Sequence, residues 1–290
     1  MITKSIPSSP AICYISPISY LDAFASPNPE GTNRHLVLAH LVDHNPNYAS
    51  YYKRRSDMGE YIMMDNSSYE LHEPYNPSDL LRLAKLCGAD AIVLPDYPFQ
   101  PASKTIDAAY KFVDPFKDAG YHTFFVPQNM PGDYEDWVMA YTWATYESGI
   151  DIIGMSILGI PNALPHVDPS YARVVMTMLL QTSGIFAYDK THHYLGLNSG
   201  PKLEIPSLLR MNALTSIDSS GPIWSAILGH AYTTESDSLQ TISKIKLPVN
   251  FDISFTKDKA TLDRIQHNIK LTQDLFTNPT TEQPWFAQEC

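Results

Sequence analysis

Four polar residues stand at or directly behind short apolar runs, and their chemistry frames the rest of the chain. Asp65 closes YIMMD, Asp96 follows AIVLP, Gln128 follows FFVP and Asp218 closes TSID. A single aspartate in such a place is most simply a helix cap or a turn former. Three aspartates and a glutamine in the same context point to one shared mouth. Carboxylates gathered there have a defined repertoire: one attacks an anomeric carbon while another supplies or removes a proton. A carboxylate beside a purine also accepts hydrogen bonds from the ring N–H and the exocyclic amine, and a glutamine can read the lactam edge. Glycoside hydrolysis, lyase chemistry and base exchange are all open at this level.

Such residues need rigid elements behind them. The chain repeats one pattern, an amphipathic helix, a glycine and a short apolar run, with the helices expected to end at Gly88, Gly120 and Gly149. Glycine suits the left-handed position just past a helix because it has no Cβ to clash. The apolar runs do not alternate, as expected of parallel strands buried on both faces. Eight are found, at 12–16, 36–41, 61–65, 91–96, 123–127, 151–156, 193–197 and 215–218. Their repeat of roughly 20 to 40 residues is one strand plus one crossover helix. Eight such units predict an α/β fold, a (β/α)8 TIM-like barrel forming a single domain over 1–290. An open doubly wound sheet is the alternative. No glycine-rich dinucleotide or P-loop cradle is present. Asp168-Pro169 should open a helix that Gly184 closes. Leu262, Ile265, Ile269 and Phe276 fall on one stripe of a last helix, expected to pack on the barrel exterior.

In a barrel of this kind the active site gathers at the C-terminal ends of the strands. That rule adds Gly154, Met155, Ser156 and Gly196 to the strand-end residues. The aromatic residues Tyr69, Tyr97 and Phe99, the carboxylate Asp252, and the histidines His72 and His230 are secondary candidates nearby.

Bulk composition narrows the classes. With 290 residues, 44% apolar and 18% charged, the chain is a folded globular protein. A net charge of −11 excludes a surface that is basic throughout. It permits a local basic rim built from Lys53, Arg54 and Arg55 with Lys202 or Arg210. Cys13, Cys87 and Cys290 form no CxxC pair and suit a reducing compartment, with Cys87 packed in a helix and Cys290 in a free tail. No run reaches the roughly 18 apolar residues of a membrane span. No basic segment precedes an apolar block at the N-terminus, so a cytoplasmic location is expected.

Six segments, in order from Tyr61 to Pro222, resemble the tRNA-guanine transglycosylases. MMDNSSYE is similar to their Asp-Ser-Gly-Gly-Phe-Gln segment, DAIVLPDYP to their strand ending in a base-binding aspartate, and FFVPQ to their Val-Gln-Gly strand. DIIGMSILG resembles the segment whose glycine backbone contacts the base. HYLGLNSGPKLEIPSL resembles their Leu-Met-Gly-Val-Gly segment, and SIDSSGP stands where the nucleophile segment does. The resemblance implies a pentosyltransferase in which Asp218 attacks the ribose C1′ and forms a covalent aspartyl-ribosyl intermediate. Asp65 would protonate the departing base and deprotonate the incoming one. Asp96 and Gln128 would recognise the base, with Asn66, Gly154, Met155, Gly196 and Leu197 lining its site. The substrates implied are DNA or tRNA and a guanine or 7-deazaguanine base, with no cofactor.

Two departures refine this. The zinc motif that follows the nucleophile segment in the tRNA enzymes has no counterpart here, so no metal is expected. His192 and His193 cannot replace it, because neighbours in a strand point to opposite faces. Ser67-Ser68 stands where the family has paired glycines. A compact, zinc-free chain most resembles the phage-type transglycosylases that insert 7-deazaguanines, such as 7-cyano-7-deazaguanine, into DNA. An enzyme of that type must extrude its target base, and the three aromatic residues could brace the gap. The alternatives are tRNA as substrate, or a carboxylate-dependent barrel hydrolase or lyase acting on a small nucleoside or sugar.

Overall fold

A computed structural model describes residues 4–24, 34–240 and 250–277. Strand β1 (Ala11–Tyr14) leads through a 3-10 turn at Ile18–Phe24 to β2 (Arg34–Leu38). Helices α1 (Ala39–His44) and α2 (Pro46–Asp57) precede β3 (Tyr61–Asp65), and α3 (Ser68–Leu71) and α4 (Pro77–Cys87) precede β4 (Ala91–Val93). Helix α5 (Ala102–Asp118), β5 (His122–Phe125), α6 (Tyr134–Tyr146) and β6 (Ile152–Gly154) follow in alternation. Next come α7 (Gly159–Ala163), α8 (Pro169–Thr182), β7 (Thr191–Tyr194), α9 (Pro201–Arg210), β8 (Ser216–Ser219) and α10 (Gly221–Ile227). Helix α11 (Lys259–Thr277) is the last element described.

The eight strands run parallel in the order β1-β8-β7-β6-β5-β4-β3-β2. This is a nearly closed (β/α)8 TIM-like barrel. The seam lies between β1 and β2, which touch without a hydrogen-bonded ladder. Arg34 bridges the seam from β2: its Nη1 donates to the Thr215 carbonyl at 2.9 Å and its Nη2 to the Ser9 carbonyl at 2.5 Å. The strands are buried as the continuous apolar runs require, with Ile12, Ile62, Met64, Ile92, Phe124 and Ile217 at or near zero exposure. Each such side chain contributes roughly 1.5–3 kcal/mol of burial.

The strands are shorter than the apolar runs. β4 and β5 stop at Val93 and Phe125, ahead of Pro95 and Pro127, which have no N–H to give to a ladder. Asp96 and Gln128 therefore stand on short extended segments beyond the strands. The run at 36–41 also divides, since β2 ends at Leu38 and residues 39–41 open α1.

Gly88, Gly120 and Gly184 take positive φ past their helices as expected. Gly149 does not: α6 stops at Tyr146, and the φ of Gly149 is not in the left-handed region. Space is what demands a glycine there, because a Cβ would collide with Val113 Cγ1 of α5.

On α11 the buried face runs through Thr261, Ile265, Asn268, Thr272 and Leu275, so the predicted apolar stripe flanks the contact rather than centring it. Buried Asn268 explains the shift. Its Nδ2 donates to the carbonyls of Pro222 and His230 at 2.9 and 3.1 Å, and its Oδ1 accepts from Tyr232 N at 2.7 Å. The helix packs on α9, α10 and β1. Cys87 is buried in α4, which pushes its thiol up to about 12; Cys290 lies outside the described residues.

The α5–α6 contact yields a test. Gly149→Ala should destabilise the protein by about 1–3 kcal/mol through overpacking. Adding Val113→Ala should recover part of that loss in chemical denaturation. Strict additivity of the two changes would show that the crowding does not exist.

Candidate active site

The C-terminal mouth of the barrel encloses a cavity of about 280 Å³. Its walls are largely apolar, with Leu36, Leu38, Val126, Leu158, Leu195 and Phe251 among them. Its polar lining includes Asp65, Glu70, Asp96, Gln128 and Asp218, and, among the described residues, no lysine or arginine. A flat heterocycle can sit between such walls while the few polar groups fix its orientation.

Asp218 lies within β8 and is held by two donors on the same oxygen. Gly196 N reaches Oδ1 at 2.8 Å and His193 Nε2 reaches it at 3.1 Å, while Oδ2 takes no hydrogen bond among the described residues. An ionised carboxylate has nothing to donate, so this bond places a proton on Nε2. His193 Nδ1 lies 2.7 Å from Ser216 Oγ, which fixes the ring. Strand alternation accounts for the contact: His192 faces the helix layer, meeting the Tyr141 hydroxyl at 2.8 Å, while its neighbour turns to Asp218. Burial lowers the His192 pKa to about 4.

Gly196 has φ +76, and a Cβ there would lie 2.9 Å from Ile157 Cγ2. Both its conformation and its surroundings exclude a side chain.

Asp96 is satisfied entirely by neutral donors. Asn66 Nδ2 and Ser68 Oγ reach its Oδ1 at 2.7 and 3.0 Å, and Gln128 Nε2 reaches its Oδ2 at 2.5 Å. Burial still raises its pKa above the usual carboxylate range, while these donors pull it down. The Gln128 amide oxygen takes no hydrogen bond among the described residues, leaving an acceptor–donor edge beside a carboxylate.

Asp65, the last residue of β3, accepts Ser67 N at 2.9 Å on Oδ2. Ser67 has φ +61, the conformation the paired glycines of the resembling family would adopt without strain. Its Oγ meets His40 Nδ1 at 2.8 Å, which holds the turn from α1. The turn leads into α3 and returns Glu70 to the cavity wall. Burial raises Glu70 to about 7, with Asp218 adding to the shift, and Glu70 Oε2 is buried without a partner. Asp65 is raised well above the usual range by burial, then by Glu70 and by Asp96.

One buried cation fixes this mouth from behind. Arg173 of α8 pairs bidentately with Glu204 of α9, Nε to Oε1 and Nη2 to Oε2, each at 2.7 Å. Its Nη1 donates to the carbonyls of Met155 and Leu195 at 3.1 and 2.9 Å, and its Nη2 to that of Gly196 at 2.7 Å. All five guanidinium N–H groups are used, as only arginine's planar fork allows. The backbone so held is the one whose next donor, Gly196 N, holds Asp218.

Of the residues singled out in the sequence, Asp65, Asp96, Gln128, Asp218, Gly196 and Leu197 line the cavity together. Asn66, Gly154 and Met155 do not. Asn66 supports Asp96 from beneath, Gly154 packs against Phe124, Val126 and Leu195, and Met155 is buried in the core. Tyr69 is at the mouth and exposed, while Tyr97 and Phe99 lie outside the lining, Tyr97 beneath Lys104 Nζ. Asp252, His72 and His230 are not in the lining either.

The suggested basic rim does not assemble. Lys53, Arg54 and Arg55 close α2, and Arg210 closes α9, at the end of the barrel opposite the mouth. Lys53 is paired with Asp57 and Arg55 with Glu60, whereas Lys202 opens α9 and donates to the Thr234 carbonyl at 2.9 Å.

Glu70, His193, Arg173 and Glu204 are the site residues the sequence reading passed over. Glu70 stands in the same segment as Asp65, five residues on. For His193, strand alternation relative to His192 was the available signal. The Arg173–Glu204 pair has no local signature.

Among the described residues, no three His, Cys, Asp or Glu side chains converge to hold a metal ion. Among the same residues, no helix is long and apolar enough to cross a membrane. Compared with known proteins, the chain matches no family model, and no curated sequence is significantly similar to it.

Two outcomes follow from these buried charges. Arg173→Met leaves Glu204 buried and unpaired, so it should cost about 3–5 kcal/mol in denaturant unfolding; a loss below about 1 kcal/mol would remove the pair from the account. Glu70 has a folded pKa above its unfolded value. Its favourable contribution is therefore present at low pH and is lost as pH rises from about 4.5 to about 7. His192, whose pKa is lowered, changes in the opposite sense, so the difference between variants is the clean readout. Glu70→Gln should match wild type below the window and exceed it by roughly 2–3 kcal/mol above it. A pH-independent difference would contradict the shift.

Proposed function

We propose that the protein is a base-exchange glycosyltransferase that replaces guanine in DNA with a 7-deazaguanine through a covalent aspartyl-ribosyl intermediate. The observation that carries this reading is the presentation of Asp218. One of its oxygens is pinned by Gly196 N and His193 while the other takes no hydrogen bond, in a cavity shared with the Asp96–Gln128 pair. The ordered resemblance to tRNA-guanine transglycosylases supports the same division of roles.

In this reading the purine ring lies between the apolar walls. Its lactam edge and amine face Gln128 and Asp96, which exchange their mutual hydrogen bond for bonds to the base. Asp218 Oδ2 attacks C1′, the bond from C1′ to the outgoing base breaks with its electron pair on the base, and Asp65 supplies the proton. The incoming base then loses a proton to Asp65 and displaces Asp218 from C1′. Gly196 N and His193 stabilise the Asp218 carboxylate each time it leaves.

A second reading is favoured by a cavity lining that, among the described residues, holds no lysine or arginine, and by the net charge of −11. A free nucleoside or small sugar, rather than a polyanion, would then be the substrate of a hydrolase using the same carboxylates.

The test is incubation with duplex DNA and labelled guanine or 7-cyano-7-deazaguanine, with tRNA and free nucleosides in parallel. Label should enter DNA, and Asp218→Asn should lower incorporation roughly 10³-fold or more and abolish any denaturation-stable protein–DNA adduct. Label entering tRNA alone would change the substrate. Nucleoside hydrolysis without incorporation would replace base exchange by the second reading.

A further inference from the structure

We infer that Asp65 and Glu70 form one proton-sharing pair in the cavity wall and that Glu70 is a second acid/base residue of the exchange, an inference that rests on the base-exchange reading above. The geometry is local. Asp65 ends β3, Ser67 turns the chain through its left-handed conformation, and one turn of α3 brings Glu70 back to the same cavity. Glu70 Oε2 is buried at the cavity wall and has no hydrogen-bond partner among the described residues, while a backbone N–H pulls against the rise that burial imposes on its carboxyl. A buried polar atom left unsatisfied is costly, and in a cavity wall a catalytic role is one physical reason for it to persist.

The groups around Glu70 leave it little choice of charge. Asp65 of β3 and Asp218 of β8, with its partner His193 of β7, share the cavity with Glu70 and act on it electrostatically, while Asp96, from the segment beyond β4, acts on Asp65. Tyr48 of α2, whose hydroxyl accepts from Leu38 N, feels the Glu70 charge from the helix side. His40 of α1 acts on the same turn through Ser67, and burial keeps it towards its neutral form. Tyr69 and His72 flank Glu70 on its own element, and no lysine or arginine among the described residues lines the cavity. Two half-buried carboxyl groups in one largely apolar wall, with no cation beside them among the described residues, cannot both ionise cheaply, so one proton is retained between them. Its titration belongs to the pair rather than to either residue, and it lies near neutrality, where acid/base catalysis is most effective.

Charge is conserved through the cycle. Before reaction Asp218 carries one negative charge and the pair another. As the Asp218–C1′ ester forms, the electron pair of the broken C1′–N bond goes to the outgoing guanine, which takes the pair's proton and leaves neutral. The ester is uncharged, so the pair bears both negative charges only while Asp218 bears none. The incoming base returns a proton to the pair, its nitrogen bonds to C1′, and Asp218 regains its charge. The removal of the Asp218 charge is thus what allows the pair to give up its proton.

The experiment combines two readouts. In protein labelled with 13C at the glutamate side-chain carboxyl, NMR should show one glutamate titrating near 7, and Glu70→Gln should remove that signal. In single-turnover exchange on DNA, Glu70→Gln should slow base release by about 10²–10³-fold and flatten its pH profile, and Glu70→Asp should restore part of the rate with a displaced profile. A glutamate spectrum with every midpoint in the ordinary carboxylate range would overturn proton sharing. An unchanged rate and pH profile in Glu70→Gln would overturn the acid/base role. If wild-type protein exchanges no base at any pH, the base-exchange reading falls and the acid/base role with it, while the titration still decides whether the pair exists.

Discussion

Four carboxyl groups face one cavity that, among the described residues, neither lysine nor arginine enters, and the cost of holding that much potential negative charge away from water shapes everything around it. The barrel meets this cost with oriented dipoles rather than counter-ions. Asp96 receives Asn66, Ser68 and Gln128; Asp65 receives Ser67 N; Asp218 receives Gly196 N and the His193 ring. Neutral donors lower the cost without cancelling the charge, which leaves the carboxylates reactive towards a ligand. A lysine in the same place would neutralise these carboxylates and fill part of the cavity.

Those dipoles act only if the backbone that carries them cannot relax. Arg173, saturated by Glu204 and three carbonyls at the ends of β6 and β7, supplies that rigidity from outside the cavity. This strongly basic group behind the site is therefore spent on positioning. It holds the segment that presents Gly196 N, and Gly196 N holds Asp218. Packing in the helix layer and chemistry at the mouth are linked by two consecutive hydrogen-bonded steps.

Much of this architecture was legible in the sequence because it is local. Apolar runs followed by polar residues marked the strand ends, and the barrel rule then gathered Asp65, Asp96, Gln128 and Asp218 at one mouth. What escaped depends on contacts distant in sequence or on unusual backbone. No local rule announces a serine at positive φ, so Ser67 and the return of Glu70 stayed hidden. The Arg173–Glu204 pair joins two helices across a strand, and Asn268 replaces apolar packing on α11 with hydrogen bonds. The basic rim failed for a reason the topology already contained. In a (β/α)8 barrel, residues that close a helix lie opposite the mouth, which separates Lys53, Arg54, Arg55 and Arg210 from the cavity.

In the proposed base exchange the cavity is a site for a purine-like base, read by Asp96 and Gln128 and attacked at its sugar by Asp218. The most direct measurement is a crystal structure of the protein soaked with guanine or 7-cyano-7-deazaguanine. The predicted result is a base between the apolar walls, its lactam edge and amine on Gln128 and Asp96, and its sugar-bearing nitrogen turned towards Asp218. A base that lies elsewhere, or one whose sugar-bearing nitrogen faces away from Asp218, would contradict it.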